Sequence, residues 1–313
     1  MSDEITYNFA AERRLEIISC PFSGGQGKAG VELGPFHVLQ AGLVRQLEEL
    51  SWKVDHPGDL EFVKPADDPL DGKLKNPKYV SAAAELVADR VEAVHKSGRF
   101  PLTIGGDHSL GIGTLTGTLR QYPDACVLWI DAHADINTPE TTDSGNIHGC
   151  PVSFVLGLAE PRPAAFAWVE PLLKANRLAY IGLRDVDPGE RKILREHNIA
   201  AYSMHEVDKY GIGKVVEMAL ARVNPEGTRP IHLSFDIDAM DPEWAPATGT
   251  PVRGGLSWRE SCYICEAVAE TGNLAAMDLV ECNPSLGDSP ASVNKTITAA
   301  CTLVRSAMGE RLL

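Results

Sequence analysis

The chain has 313 residues, 44% of them hydrophobic and 23% charged, and a formal net charge of −14. Length and composition suit one large α/β domain over residues 1–313, and the acidic balance argues against nucleic acid or an anionic membrane surface as a partner. Nothing approaches the ~18 consecutive apolar residues of a membrane span, and the acidic first residues lack the apolar core of a signal peptide. The seven scattered cysteines are typical of reduced thiols, so the sequence predicts the cytosol.

The first predicted elements surround a glycine-rich loop. A strand over Arg14–Cys20 leads into residues 23–30, which lack the GxxxxGK[ST] pattern because Ala29 follows the lysine, so we reject nucleotide binding. Pro35 then opens one predicted helix with apolar positions at Val38, Leu39, Leu43, Leu47 and Leu50. A short strand follows at residues 51–55.

The middle of the chain alternates between the two kinds of element. Residues 56–76 form a surface excursion, and a helix runs from residue 77 to about His95, with an apolar side made of Ala82, Leu86, Val87, Val91 and Val94. Apolar strands are predicted at residues 100–104, 127–130, 178–183, 199–202, 231–235 and 274–280, with a helix near 205–222. Ser257 starts the helix before the last strand, because Ser257 and Glu260 fit a capping box.

These eight strands imply a largely parallel sheet covered on both faces, because they alternate with helices and are almost continuously apolar. A closed eight-stranded barrel is the alternative to an open sheet. In an open α/β sheet, ligands bind at the carboxyl ends of the strands.

Metal-type ligands follow three of the strands. Asp131, His133 and Asp135 come directly after residues 127–130, and in an extended segment their side chains would point the same way. Converging acids are costly unless a cation lies between them. Two further strand ends supply the rest of the predicted ligands: His108, Asp236 and Asp238. Carboxylates with imidazole favour manganese-type ions over zinc, and shared carboxylates could bridge two ions about 3.5–4 Å apart.

These motifs resemble those of a known family. Residues 105–109 (GGDHS), 131–135 (DAHAD) and 234–238 (SFDID) resemble the three metal motifs of the ureohydrolase superfamily. Residues 135–139 (DINTP) and 144–149 (SGNIHG) look specifically like the arginase family. The resemblance extends from about residue 17 to the C-terminus, with the motifs in the family's order and spacing.

The resemblance implies a fold, a reaction and a ligand set. The fold would be an open three-layer αβα sandwich, and the reaction manganese-dependent hydrolysis of L-arginine to L-ornithine and urea by a hydroxide that bridges two Mn²⁺ ions per chain. Asp131 and Asp236 would be the bridging ligands. The first ion would also bind His108 and Asp135, and the second His133 and Asp238. The resemblance also implies a homo-oligomer, a trimer.

Other residues acquire roles by the same resemblance. Asp135 and His148 would carry protons, and Glu281 would pair with the guanidinium group. The amino-acid end of the substrate would be recognised by Asn137, Ser144, Asn146, Asp185 and Asp187, with Thr250 lining the same cleft.

Some assignments stay open at this stage. Cys150 stands where the family also suggests Gln or Met, and we interpret it as a packed small residue; Cys262 and Cys265, three apart on a predicted helix, should face the core. Another ureohydrolase, such as an agmatinase or guanidinobutyrase, is the nearest alternative function. A non-catalytic regulatory subunit with this fold is the alternative from a different class.

Overall fold

A computed structural model describes residues 5–311, and its centre is a sheet of eight parallel strands. The strands are β1 (Arg14–Cys20), β2 (Lys53–Asp55), β3 (Phe100–Gly105), β4 (Cys126–Ile130), β5 (Leu178–Leu183), β6 (Ala200–Ser203), β7 (Ile231–Asp236) and β8 (Leu274–Val280). Their spatial order is β2-β1-β3-β8-β7-β4-β5-β6, so the sheet is open, with β2 and β6 at its edges. The predicted α/β fold is confirmed, and the barrel alternative is wrong.

Helices cover both faces of this sheet. They are α1 (Gly34–Gln40), α2 (Leu43–Glu49), α3 (Pro77–Lys96), α4 (Gly111–Gln121), α5 (Pro151–Leu156), α6 (Pro188–Glu196), α7 (Met204–Tyr210), α8 (Ile212–Val223), α9 (Trp258–Glu270) and α10 (Pro290–Ala307). Side chains from α1, α2, α8, α9 and α10 share one apolar cluster with one face of the strands. Side chains from α3, α4, α5 and α6 pack against the opposite face.

The alternation of side chains along β7 separates apolar from polar residues. Ile231, Leu233 and Phe235 belong to the larger apolar cluster. His232, Ser234 and Asp236 therefore face the side of α3 and α4, and all three are buried. This polar face of β7 leads directly to the candidate site, because Asp236 is the last residue of the strand.

The strand order explains why the site lies at the centre of the sheet. The chain passes from β3 to β4 but leaves two positions between them, which β8 and β7 fill later. The carboxyl ends of β3, β8, β7 and β4 are therefore neighbours. This is a topological switch point, where open α/β sheets form binding crevices.

Local signals predicted several boundaries correctly. The predicted ranges of β1, β5 and β8 agree with the structure residue for residue. The predicted capping box is present at α9, where the Ser257 amide donates to Glu260 Oε2 at 2.8 Å and the Glu260 amide donates to Ser257 Oγ at 3.3 Å. Cys262 and Cys265 are 4% and 0% exposed and face the core, as predicted.

Two predicted helices are each broken into two. The helix opened by Pro35 ends at Gln40, and α2 starts after Gly42, whose φ of +87° is incompatible with a continuing right-handed helix. Likewise, Gly211, at φ +78°, separates α7 from α8 inside the predicted 205–222 helix. Both breaks lie at glycines, which adopt the left-handed region without a steric penalty.

The predicted buried side of α3 is partly wrong. Val87, Val91 and Val94 are buried, but Ala82 is exposed and Leu86 is 40% exposed. The buried stripe instead includes Val80, Ala83, Ala84 and Ala88, next to α4. Glycines on α4 allow the two helices to approach closely, since a Cβ on Gly113 or Gly117 would collide with backbone carbonyls of α3. Small residues therefore determine which side of α3 packs.

Within residues 5–311, no helix has both the length and the apolar character needed to cross a membrane.

Candidate metal centre and substrate cavity

The side chains of Asp131, His133 and Asp135 converge because the chain bends after β4. Strand β4 ends at Ile130, and bends at residues 131–133 replace the extended alternation assumed from the sequence. Asp135 then has a φ of +50°, an unusual value for a residue with a side chain. Such a conformation costs on the order of 1–3 kcal/mol and persists only where surrounding contacts enforce it. The predicted convergence is observed, but the predicted reason for it is wrong.

His108 and three carboxylates form the first cluster. His108 Nδ1 lies 3.2 Å from Asp131 Oδ2, 3.2 Å from Asp135 Oδ2 and 3.1 Å from Asp236 Oδ2. The other ring nitrogen lies 2.9 Å from Ser234 Oγ, and the ring stacks on Trp129 with centroids 3.9 Å apart. The imidazole is thus held on its far edge and its face, with Nδ1 directed at the acids.

His133 and two carboxylates form the second cluster. His133 Nδ1 lies 3.3 Å from Asp131 Oδ1 and 3.2 Å from Asp238 Oδ2, and Thr250 Oγ1 donates to the same Asp238 oxygen at 2.8 Å. Asp131 belongs to both clusters, with one oxygen toward each histidine. That is the geometry expected of a bridging carboxylate. Ligand atoms of His108, Asp131 and Asp135, and those of Asp131, His133 and Asp238, lie within 4.8 Å of one another.

The donor set suits divalent cations. Burial, followed by the charges of Asp238 and Asp131, raises the pKa of Asp236, and burial with the charge of Asp131 raises the pKa of Asp135 to about 6. Burial opposes protonation of His108, but its contacts with Asp131, Asp135 and Asp236 outweigh it and raise the pKa of that imidazole. The clustering of negative charge thus favours proton binding by these groups, and a metal ion would displace those protons. Carboxylates with imidazole match manganese-type ions.

Glu281 joins this centre from the end of β8. It is 2% exposed and adopts a φ of +64°. Its Oε1 accepts from the His108 amide at 2.9 Å and lies 3.1 Å from His148 Nδ1, while its own amide donates to the Gly106 carbonyl at 2.8 Å. Burial lowers the pKa of His148. The negative charges of Glu281, Asp135 and Asp107 raise it by more, so the resulting pKa is about 9.

A cavity of about 140 Å³ opens above the clusters. The predicted site residues that line it are His133, Asp135, Asn137, Ser144, His148, Asp185, Asp187, Asp236 and Thr250. Asn137 Nδ2 donates to Asp187 Oδ2 at 2.9 Å, which connects the loop after β4 to the start of α6. His108, Asp131, Asp238 and Glu281 lie buried nearby.

A larger cavity, of about 790 Å³, lies between α6 and α7. Among residues 5–311, its lining includes Arg184, Arg195 and Met204 and contains none of the predicted site residues. Volume alone is therefore a poor guide to chemistry in this molecule. The smaller cavity has the converging acids and imidazoles that a reaction requires.

Comparison with known proteins identifies the family of this chain. A family model described as "Arginase family" matches residues 13–309. The chain belongs to the arginase family. It is 55% identical to an arginase of Glaciozyma antarctica over 321 residues, which cover 100% of this chain and 92% of that protein.

Two solved arginases show how closely the fold is shared. The arginase of Bacillus caldovelox aligns with a TM-score of 0.89 at 41% identity, over 96% of this chain and 99% of that one. An Entamoeba histolytica arginase in complex with L-ornithine aligns with a TM-score of 0.83 at 30% identity, over 95% and 98%. The predicted family is confirmed, and with it the predicted enzyme class: a hydrolase acting on a guanidino C–N bond.

One predicted substrate residue lies apart from the others in this arginase-family cavity. Asn146 is absent from the described residues that line the cavity, and its Oδ1 accepts instead from Lys75 Nζ at 3.2 Å. Cys150 is buried, and its thiol lies 3.8 Å from the Asn146 carbonyl, which agrees with a packed small residue.

Sequence reasoning missed Glu190, which lines the cavity and is 3% exposed. Its carboxylate accepts from the Ile136 amide at 3.1 Å and the Asp187 amide at 3.0 Å, so it connects the segment after Asp135 to the start of α6. Burial raises its pKa to about 8. The signal was present, because Asp187 and Glu190 form a capping box at the start of α6.

Proposed function

We propose that this chain hydrolyses L-arginine to L-ornithine and urea, using two Mn²⁺ ions per chain. The observation that carries the proposal is the pair of His–Asp clusters that share Asp131 and lie beneath a cavity beside Glu281. Support comes from the family match and from the Entamoeba histolytica arginase, which was solved with L-ornithine.

The ions would be held by the two clusters, with Asp131 and Asp236 as shared ligands. When bound, they would supply Lewis acidity that makes water a competent nucleophile near neutral pH. The chain's part is to hold the ligands: Trp129 Nε1 donates to Asp131 Oδ2 at 2.9 Å, and Ser234 contacts His108. Such outer contacts orient metal ligands.

Glu281 would bind the guanidinium group of the substrate. Its Oε1 already contacts the His108 amide and the His148 ring, but a carboxylate offers about four acceptor sites. Charge-assisted hydrogen bonds from guanidinium N–H groups would then orient the carbon toward the metal centre. The left-handed backbone of Glu281 is consistent with a side chain held for function rather than for folding.

His148 and Asp135 would move protons. Both line the cavity, and the Nδ1 of His148 faces Glu281, so its Nε2 is the nitrogen free to exchange a proton with the substrate side. Asp135 would accept the proton of the attacking water and pass it to the departing amino group.

The rim of the cavity would recognise the amino-acid end of arginine. Asn137 and Ser144 offer an amide and a hydroxyl to the α-carboxylate, and Asp185 and Asp187 offer carboxylates to the α-ammonium. Agmatine lacks the α-carboxylate, so its binding would leave rim groups unpaired. The rim therefore favours an arginase over an agmatinase or guanidinobutyrase.

Dialysis against a chelator followed by metal addition tests the metal assignment. Activity should be lost and then return with Mn²⁺ more fully than with Mg²⁺ or Ca²⁺, because imidazole ligands suit manganese better. Full activity in the chelated protein would contradict the metal mechanism.

Comparing arginine with agmatine tests the substrate assignment. We expect on the order of 10²–10⁵-fold higher kcat/KM for arginine, since each unpaired neutral rim group costs about 1–3 kcal/mol. Equal kcat/KM values would assign the chain to another ureohydrolase activity.

We further propose that the chain acts as a single domain, assembles as a homotrimer and resides in the cytosol, without a nucleic-acid partner or a membrane. The net charge of −14 supports the absence of polyanionic partners. Light scattering coupled to size-exclusion chromatography measures the mass in solution and would reject the trimer if it gave the mass of one chain.

A further inference from the structure

The glycine-rich loop that follows β1 connects two parts of the site. The Gly25 amide donates to Asp107 Oδ2 at 2.8 Å, and the Gly25 carbonyl accepts from the His148 amide at 2.9 Å. One residue of this loop therefore connects the carboxylate of Asp107 to the backbone of His148. None of these contacts has a part in the function proposed above.

This connection is tightly built. Asp107 is 0% exposed, its Oδ1 accepts from the Ser109 amide at 3.0 Å and from the Ser109 hydroxyl, and its amide donates to the Phe22 carbonyl at 3.1 Å. A Cβ added to Gly25 would lie 2.5 Å from Asp107 Oδ1, which is too close for a real contact. Glycine is therefore required where the loop meets Asp107.

We propose that Asp107 is a positioning residue for His148 and acts through Gly25. The inference rests on the proposed function of His148 as a proton carrier. Asp107 is 0% exposed, and its two carboxylate oxygens accept hydrogen bonds from Gly25 and Ser109, so it acts on the site through these groups and not by contact with the substrate.

The geometry shows why His148 needs this second attachment. Its ring is held at Nδ1 by Glu281, and its backbone is held by Gly25, 123 residues away in sequence (148 − 25). The two attachments together determine where Nε2 lies in the cavity. Misplacement of a reacting group by about 1 Å can cost about 10²-fold in rate.

Asp107→Asn is the decisive variant because it keeps the shape of the side chain. Asp107 Oδ1 faces two donors of Ser109, so the single asparagine oxygen should turn toward Ser109. The new NH₂ group would then face the Gly25 amide, donor against donor, and release the loop.

A double-mutant cycle in the metal-loaded enzyme tests the route of the effect. We expect Asp107→Asn to lower kcat about 10–100-fold when His148 is present, but less than about 3-fold in a His148→Ala background. An unchanged kcat, an equal loss in both backgrounds, or a loss of bound metal through the adjacent His108 would each overturn the proposal.

Hydrogen–deuterium exchange gives a readout that does not depend on catalysis. Asp107→Asn should speed exchange of the His148 amide about 10-fold or more, whereas the control Ser109→Ala, which leaves the Gly25 bond in place, should not. Unchanged exchange at residues 147–149 would overturn the proposal. If Asp107→Asn does not fold, Gly25→Ala tests the other end of the connection with the same two measurements.

The two proposals fail in distinguishable ways. A wild-type chain that releases no urea from arginine would refute the proposed function. The exchange measurement would still decide whether Asp107 holds the backbone of His148.

Discussion

Two buried histidine–carboxylate clusters lie on the same face of β7 and differ in almost every chemical respect. In the first, His232 Nε2 lies 2.9 Å from Asp278 Oδ2, its Nδ1 lies 2.8 Å from Thr118 Oγ1, and Thr114 donates to the same Asp278 oxygen at 2.6 Å. The other group begins at Asp236, at the end of the same strand, and comprises the His108 and His133 clusters described above.

The difference lies in charge balance and access. The His232 cluster pairs one histidine with one carboxylate, adds neutral hydroxyl donors and is buried. The cluster at the end of β7 places Asp131, Asp135, Asp236 and Asp238 around two histidines, and several of its members line a cavity. A buried His–Asp contact by itself therefore does not indicate a functional site. An excess of carboxylates that reaches a cavity does indicate one.

Asp131→Asn should have the largest effect on this comparison. Asp131 contacts both histidines, so its loss should weaken binding of both ions and remove several kcal/mol of transition-state stabilisation, or about 10³-fold in kcat/KM. Metal analysis and urea release measure the two effects. Retention of two ions with full activity would show that Asp131 is not a shared ligand.

His148→Ala should lower kcat by roughly 10²–10⁴-fold while leaving metal content unchanged, because His148 lines the cavity beside Glu281 without belonging to either metal cluster. Added imidazole should restore part of the rate. Steady-state kinetics with metal analysis checks both points, and an unchanged kcat would reduce His148 to a loop residue.

Asp187→Ala should reduce the preference for arginine over 4-guanidinobutyrate, which lacks the α-ammonium, by roughly 10–100-fold, because one charged partner of that ammonium is lost. Asp187 also caps α6, so Asp187→Asn is the matched control that keeps the cap but removes the charge. The preference is measured as the ratio of kcat/KM for the two substrates in wild type and in each variant. An undiminished preference in both variants would exclude Asp187 from substrate recognition.

Asp278→Asn should affect stability instead of catalysis. It weakens the bonds from His232 and Thr114 inside the core and should lower the free energy of unfolding by about 2 kcal/mol. With saturating metal, kcat should stay within about 3-fold of wild type. A loss of activity as large as that of Asp131→Asn would erase the distinction between the two clusters.

At neutral pH the smallest expected effect comes from His95, at the edge of the His232 cluster, because its pH dependence acts only below about pH 6.5. Burial, aided by the charge of His232, lowers the pKa of His95 to about 3 from 6.5. Because the unfolded chain binds a proton that the folded chain does not, this contribution to stability is present above pH 6.5 and falls by up to about 1.4 kcal/mol per pH unit toward pH 3. Denaturant unfolding of wild type and His95→Gln between pH 7 and about 4 should show a shallower slope in the variant.

Local chemistry determined much of this protein from the sequence alone. Largely apolar segments between turn signals are enough to delimit β1, β5 and β8. The acids after β4 and β7 were also recognisable, because charged residues directly following buried strands need a compensating ligand. Both glycine breaks, at Gly42 and Gly211, were local signals too and could have been predicted.

Tertiary structure alone decided which strand ends meet and how their side chains are held. Glu281 accepts from the His108 amide, 173 residues away, only because β8 inserts beside β3. Asn146 contacts Lys75, 71 residues away, and Gly25 contacts Asp107 and His148, 82 and 123 (148 − 25) residues away. Periodicity and capping depend on residues that are close along the chain, whereas these contacts depend on the spatial order of the strands in the sheet.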